Sequence, residues 1–561
     1  MPCRPAQGWE AGRPPHWPAS FLALAALAGL LFSACTAPEP LPEAPRPTAT
    51  LPTGSEGLPW WNDTVFYQVF VRSFLDSNAD GVGDLPGLID RLDYLNDGNP
   101  ETSDDLGVTG LWLLPIHPSP SYHGYDVTDY FAVQPAYGSL DDFRQLLDEA
   151  HRRGIRVLID LVLNHTSSQH PWFTAAQNPA SPYRTWYRWS ATDPGQPHWH
   201  ASPSGYYYGF FGPHMPDLNY ATPAVTQEML RVARFWVEEV GVDGFRIDAA
   251  KYLWEEGQVT ENAEATHQWF RDFTRAYREW DPAGLSVAEV WDSTGIAVRY
   301  AQPGQLDLTF EFSLAQAFIV SARTGRADEA RRVLSAALAA YRPNQFATFL
   351  SNHDQSRVMS QLAGKPDKAR VAAALLLTSP GVPFVYYGEE IGMTGTKPDE
   401  RIRTPMQWSA EPNAGFTTAQ PWEELQPDVV ERNIAAQDGD PASLLHWYRD
   451  LIRLRSKHPA LRLGSTLVAG SDSPSVFSLL RWSQDEMLLT ALNLGPDSLT
   501  DSRLSLEGGP LQGSYTLTPI FGPAEEGRLT ADSSGGFQVS PPGPLPGYSL
   551  SLWRLDPTST P

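Results

Sequence analysis

The chain has 561 residues, 42% of them hydrophobic and 19% charged, which is the make-up of a soluble globular protein with enough apolar material for a large core. Its 41 basic and 65 acidic residues leave a formal charge of −24, which repels nucleic acid and anionic lipid surfaces and so argues against a nucleic-acid partner. The two cysteines, Cys3 and Cys35, both lie near the N-terminus, so the folded part has no disulfide, no cysteine-based metal site and no cysteine nucleophile.

In chain order, Arg4 and Arg13 precede an apolar run from Phe21 to Phe32 that is short for a membrane span and fits the core of a secretion signal. It closes on Phe32-Ser33-Ala34-Cys35, which resembles a bacterial lipoprotein cleavage box, with Cys35 as the lipidated residue and Phe32 where leucine is usual. Residues 36–59, rich in Pro, Ala, Thr and Glu, read as an extended tether. With 1–35 as signal peptide, the protein is expected outside the cytoplasm, secreted or lipid-anchored as a monomer, and touching the membrane only through that anchor.

From Trp60 onward, short apolar runs alternate with helical patterns. Candidate strands are 65–71, 110–116, 155–163, 242–248, 285–290, 306–312, 346–350 and 382–387. The segment 139–153 reads as a helix, because Ser139 and Asp142 make a capping-box start and Phe143, Leu146, Leu147 and Ala150 recur at helical spacing. Strand and helix alternating eight times predict an α/β protein with a closed (β/α)8 barrel over 60–165 and 217–462. The stretch 166–216 is rich in Pro, Gly, Trp and Tyr and too long for an ordinary loop, so it reads as a small inserted domain. Over 463–561 the pattern turns to alternation, with Tyr548, Leu550 and Leu552 on one face, and predicts an antiparallel β-sandwich.

Functional residues of such barrels gather at the C-terminal ends of the strands. Those ends carry Asp160 and Asn164-His165 in DLVLNH, Arg246 and Asp248 in GFRIDAAK, Glu289 in VAEVW, and His353-Asp354 in FLSNHD. Residues two apart on a strand share a face, so Arg246 and Asp248 emerge together, and the guanidinium is expected to keep the aspartate ionised. Alone, that pair is as well read as structural; four such motifs in this order are specific. They resemble the conserved regions of the α-amylase family of glycoside hydrolases, from about Trp60 to the C-terminus. The resemblance implies Asp248 as nucleophile, Glu289 as general acid/base and Asp354 as transition-state stabiliser. It further implies that Arg246, His165 and His353 bind the sugar at the cleavage subsite and that Tyr125, in YHGYD, stacks on it. Cleavage passes through an oxocarbenium-like state, which requires one ionised carboxylate and one protonated carboxyl; a separation of roughly 5–5.5 Å gives retention.

A second candidate site lies upstream, where Asp76, Asn78, Asp80 and Asp84 place oxygen side chains at positions 1, 3, 5 and 9 of a loop with Gly81 at 6. Gly87 stands where an EF-hand carries its bidentate glutamate, so this is not an EF-hand. Hard oxygen ligands still favour Ca²⁺, with the Val82 carbonyl as a fifth donor, and family relatives carry a similar loop; the competing reading is an Asx-rich turn. Asn164, a calcium ligand in many amylases, is open in either direction.

Within the family, Met215 to Asn219 resembles a region intermediate between oligo-1,6-glucosidases and neopullulanases. Arg403 to Trp408 resembles oligo-1,6-glucosidases and trehalose synthases, and would set Arg403 near the cleavage-subsite sugar. Tyr122 stands where exo-acting glucosidases usually carry Asp, and Ala249 with Lys251 follows the amylase pattern, Lys251 reaching a leaving-side glucose. The expected function is a retaining α-amylase acting on α-1,4 linkages of starch and maltooligosaccharides, with transglycosylation alongside. Alternatives are an α-glucosidase or oligo-1,6-glucosidase, a trehalose-forming isomerase, and, remotely, a non-catalytic carbohydrate-binding relative.

Overall fold

The computed structural model describes residues 49–255 and 259–558; the predicted leader and Cys35 lie outside the described residues. No helix among them is long and apolar enough to cross a membrane. The last part of the expected tether is docked, since Ala49 N donates to the Arg152 carbonyl at 3.0 Å and Arg156 donates to Pro52 O through Nε and Nη2.

All eight predicted barrel strands form, each shorter than its apolar run: β1 (Phe66–Val69), β2 (Gly110–Leu113), β3 (Arg156–Leu161), β4 (Gly244–Ile247), β5 (Leu285–Ala288), β6 (Leu308–Thr309), β7 (Ala347–Thr348) and β8 (Val382–Tyr386). They pair in parallel in the order β7-β8-β1-β2-β3-β4-β5-β6, and a parallel bridge between Phe310 and Ala347 joins the two edges. Continuous burial on both faces is what parallel sheets require and explains the unbroken apolar runs. Inside, Phe66 stacks on Phe384 at 4.5 Å, Phe384 meets Phe310 at 4.9 Å, and Phe310 meets Trp112 at 5.3 Å. Rings of this size fill the barrel, and Phe310, just past β6, contributes from outside the ladder.

Helix α1 (Leu140–Arg152) starts with the predicted capping box, Ser139 and Asp142 bonding reciprocally, and buries Phe143, Leu146, Leu147 and Ala150. Before β4 a π-helical turn, Phe235–Val240, ends on Gly241 at φ 96°, a left-handed conformation that suits glycine. That turn delivers the chain into the strand bearing Arg246. The inserted segment carries a three-stranded antiparallel sheet, Gly205–Tyr208 between Trp189–Ser190 and Trp199–Ser202.

Past the barrel, eight antiparallel strands from Ser465 to Pro557 form one sheet around a core of its own, built from residues such as Leu480, Leu489, Leu529 and Trp553. Alternate residues face the barrel: Leu488, Leu492, Leu550 and Leu552 belong to its core, as the shared face of Leu550 and Leu552 predicted. Two buried arginines stitch this junction. Helix α2 (Pro366–Thr378) ends with orphan carbonyls, as helices do. Arg455, from α3 (Leu444–Lys457), donates to the carbonyls of Leu377, Ser379 and Gly381, while Arg481, from the C-terminal sheet, donates to those of Thr378, Leu461 and Gly464. Burial, then the charge of Arg462, depresses Arg455; burial, then Arg455, depresses Arg481. Carbonyl dipoles at a helix C-terminus are the compensation offered to these cations.

Candidate active site

A cleft of about 420 Å³ opens at the C-terminal ends of the strands, and Asp248, Glu289 and Asp354 all line it. Four other predicted residues, Tyr125, His165, Lys251 and Arg403, line it too, while Arg246 and His353, each 1% exposed, lie directly beneath.

Arg246 organises the floor. In the β3–β4 register it sits opposite Asp160, and its Nη1 donates to Asp160 Oδ1 at 2.5 Å and to Asp248 Oδ1 at 2.8 Å. Its Nη2 donates to Glu289 Oε2, so one guanidinium bridges the Asp248 and Glu289 carboxyls. Asp248 itself falls one residue beyond the strand, and Ala249 behind it is left-handed at φ 46°, ψ 37°. A left-handed alanine stores strain, here spent on turning the carboxylate into the cleft.

Three carboxyls, Asp160 and Asp248 buried and Glu289 partly so, share one guanidinium, and like charges so close oppose one another's ionisation. Burial raises Glu289 to about 8; Arg246 opposes this, and Asp248 and Asp354 add to it. Asp160 rises to about 7, again chiefly by burial. Asp248 also rises: burial and Asp354 outweigh Arg246. Arg246 still lowers the Asp248 pKa, as its placement on the same face predicted, but desolvation is the larger effect. A carboxyl at about 8 holds its proton at neutral pH and can donate it to a leaving oxygen.

Burial, then Arg403 and Arg246, keeps His353 neutral; its Nδ1 meets Gln68 Nε2 at 2.8 Å and its Nε2 meets the Tyr125 hydroxyl at 2.6 Å. The Tyr125 and His353 rings lie parallel at 5.5 Å, which fixes Tyr125 as a wall of the cleft. His165, lowered to about 4 by burial, lines the cleft as a neutral ring able to hydrogen-bond a sugar hydroxyl. Lys251 is bound to Glu261 at 2.9 Å and Asp292 at 3.2 Å.

Arg403 donates through Nη2 to Asp354 Oδ1 and through Nε to the His353 carbonyl, both at 2.9 Å. Three hydroxyls hold its backbone: Tyr386 on the Ile402 carbonyl, Ser73 on that of Arg403 and Tyr387 on that of Thr404. These clasps come from the β8 end and the segment after β1. Tyr387→Phe keeps the packing and removes one bond, worth about 1 kcal/mol. The expected result is a drop in kcat/KM of about three- to tenfold with an unchanged fold; kinetics equal to the parent would remove Tyr387 from this role.

Sequence reasoning did not single out His123, Phe211, Met215, Tyr252, Trp291 or Asp399 as lining residues. Trp291 had a usable signal, standing two residues beyond Glu289; Phe211 lies in the irregular insertion and had none.

The upstream loop keeps its carboxylates busy. Asp76 accepts from the backbone of Asn78, Ala79 and Gly81 and from Thr417 Oγ1. Asp80 accepts from Val82 N, and Asp84 from Ser77 N, Ser77 Oγ and Gly87 N. Burial tends to raise Asp76, but these bonds, Thr417 first, bring it below its ordinary value. Among the described residues no three His, Cys, Asp or Glu side chains converge as a metal cluster. Asn164 and Asp217 are both buried, and Asp217 bonds the side chains of Asn164 and Glu255.

The profile described as "Alpha amylase, catalytic domain" matches residues 68–464. The chain is 39% identical over 445 residues to Alpha-amylase 3 of Dictyoglomus thermophilum, covering 78% of this chain and 85% of that protein. It is 37% identical over 503 residues to the trehalose synthase/amylase of Mycolicibacterium smegmatis, covering 77% and 82%. Among solved structures, the α-amylase from H. orenii superposes with a TM-score of 0.74 at 36% identity, covering 88% of this chain and 99% of that one.

Proposed function

The chain belongs to the α-amylase family of glycoside hydrolases, and from that premise we propose that it is a retaining α-amylase cleaving α-1,4 linkages of starch and maltooligosaccharides. The observation that carries this reading is the single buried guanidinium of Arg246 shared by Asp248 and Glu289 at the cleft floor. Glu289 protonates the leaving oxygen while Asp248 forms a glycosyl ester, and Glu289 then takes the proton of the attacking water. A sugar hydroxyl in place of that water gives transglycosylation. Tyr122 supports endo action: it stacks on Trp422 at 5.4 Å and brings a ring, not a carboxylate, beside Arg403.

One observation favours a second reading. The Asp399 carboxylate lines the cleft 3.5 Å from Arg403 and supplies a charge that Tyr122 lacks, as a site gripping a chain terminus would need. A product time-course on starch, maltoheptaose, isomaltose and maltose separates the two. Mixed-length α-anomeric products early from starch support the amylase; glucose alone, or trehalose from maltose, supports the glucosidase or isomerase.

Ca²⁺ at Asp76, Asn78, Asp80, Val82 and Asp84 belongs to the same proposal, because these are hard oxygen donors. Asp76 already accepts four hydrogen bonds, about the capacity of a carboxylate, so ion binding has to displace one. Thr417, whose hydroxyl can turn away, is the partner best able to yield. Chelation is expected to lower Tm, with recovery on adding calcium; an unchanged Tm leaves the loop as a self-satisfied turn. Lipid attachment at Cys35 completes the proposal, and Cys35→Ala should release the protein from the membrane fraction.

A further inference from the structure

The contact between Asp354 and Arg403 joins two segments that reach the cleft separately. Asp354 follows β7, and Arg403 lies in the long connection after β8. Both stand on irregular backbone, which places a side chain less precisely than a strand or helix does. The two segments are tied together by Arg357, three residues beyond Asp354 and 2% exposed.

The backbone N–H of Arg357 donates to the Gly395 carbonyl at 3.0 Å, and its Nη1 donates to the Tyr387 carbonyl at 2.6 Å. Its guanidinium lies 4.6 Å from the ring centre of Tyr386 and 4.7 Å from that of Tyr387. These are the rings whose hydroxyls hold the Ile402 and Thr404 carbonyls on either side of Arg403. A closed circuit results: the chain runs from Asp354 to Arg357, Arg357 grips the two tyrosines, the tyrosines hold 402–404, and Arg403 returns to Asp354. A planar cation that both stacks on rings and donates to a carbonyl is held in one orientation. Glycines make room for it. A Cβ on Gly388, at φ 77°, would lie 3.3 Å from Arg357 Nη1 and 2.2 Å from Met393 Sδ, and one on Gly395 would lie 3.3 Å from Arg357 Cδ and 2.5 Å from the Arg401 carbonyl oxygen. Arg357 also shares a small cavity with Glu389, whose carboxyl burial raises to about 8 and whose rise Arg357 opposes.

We infer that Arg357 is a positioning residue for glycoside cleavage: outside the cleft lining, it fixes the Asp354 and Arg403 segments relative to each other so that both meet the sugar together. The inference rests on the glycosidase reading above, in which Asp354 stabilises the transition state.

The test is steady-state cleavage of maltoheptaose by Arg357→Lys, by Tyr386→Phe/Tyr387→Phe and by the three changes combined, with Tm measured for each. Arg357→Lys keeps a cation near Glu389 and removes the planar group that stacks on two rings. It should lower kcat about 10- to 100-fold, the cost of slightly misplaced catalytic groups, and change KM far less. Once both hydroxyl clasps are gone the same change should cost much less, so the combined variant loses less than the product of the two separate losses. Arg357→Met gives a second route to the same comparison and should fall at least as far in kcat. Parent-like kcat at position 357 overturns the inference, and so does a lower Tm with kcat unchanged, which would mark a purely structural arginine. Losses that simply multiply overturn it as well, because Arg357 would then act apart from the clasps. Failure of the parent to cleave maltoheptaose overturns the glycosidase reading and the inference with it.

Discussion

Replacing Asp248 with Asn should reduce turnover by roughly four orders of magnitude or more, the scale seen when a covalent nucleophile is removed. The substitution is nearly isosteric, and the Arg246 guanidinium keeps Asp160 and Glu289 as partners, so no buried cation is left bare. Stability should move the other way. The folded pKa of Asp248 is raised, chiefly by burial, so its contribution to stability is fullest below the unfolded pKa and is lost as pH rises through the folded one. At neutral pH the native carboxylate is thus a cost. Asp248→Asn should match or exceed the parent in Tm there, with any gain fading in acid. Parent-like turnover on maltoheptaose would sink the nucleophile assignment.

The pH profile and the Glu289→Gln variant make the second large test. Glu289 works as an acid while protonated, and its pKa is raised to about 8, so kcat/KM should hold through neutrality and fall as pH rises through about 8. Asp354 contributes to that rise, so the residual activity of Asp354→Asn should lose its alkaline limb at lower pH. Glu289→Gln should cost about 10²–10⁴ in kcat on maltooligosaccharides. With α-glucosyl fluoride, whose leaving group needs no proton, the loss in the glycosylation step should be far smaller. An equal loss on both substrates would mean that Glu289 positions and does not protonate.

Much of the barrel was legible because parallel strands are buried on both faces and announce themselves as unbroken apolar runs, and because carboxylates at their ends have no structural reason to recur. Arg246 and Asp248 were readable from period-two spacing alone. The electrostatic outcome was not: whether Arg246 or desolvation dominates at Asp248 depends on depth and on Asp354, more than a hundred positions away in the chain. The hydroxyl clasps on residues 402–404 were hidden for a related reason, since Tyr386 and Tyr387 read as core residues until their hydroxyls are seen to end on carbonyls. The spacing of Trp291 from Glu289 hints at its place in the cleft, but only the parallel Phe312 ring shows how it is held. The tether was overextended because composition reports polarity and proline content but not the Arg156 side chain that holds Pro52.

Arg455 and Arg481 bear on how the molecule comes into being. Arg455 grips the Gly381 carbonyl immediately before β8, and Tyr386 and Tyr387 at the far end of that strand hold the segment bearing Arg403. A nascent chain that has emerged only as far as α3 already contains every catalytic side chain, yet it lacks Arg481 and the sheet that seals the end of α2. Catalytic competence should therefore arrive late in synthesis, when the last hundred or so residues clear the ribosome. A recombination event that exchanges the C-terminal sheet between relatives would have to carry along a guanidinium at this position, or rebuild the turn that it caps.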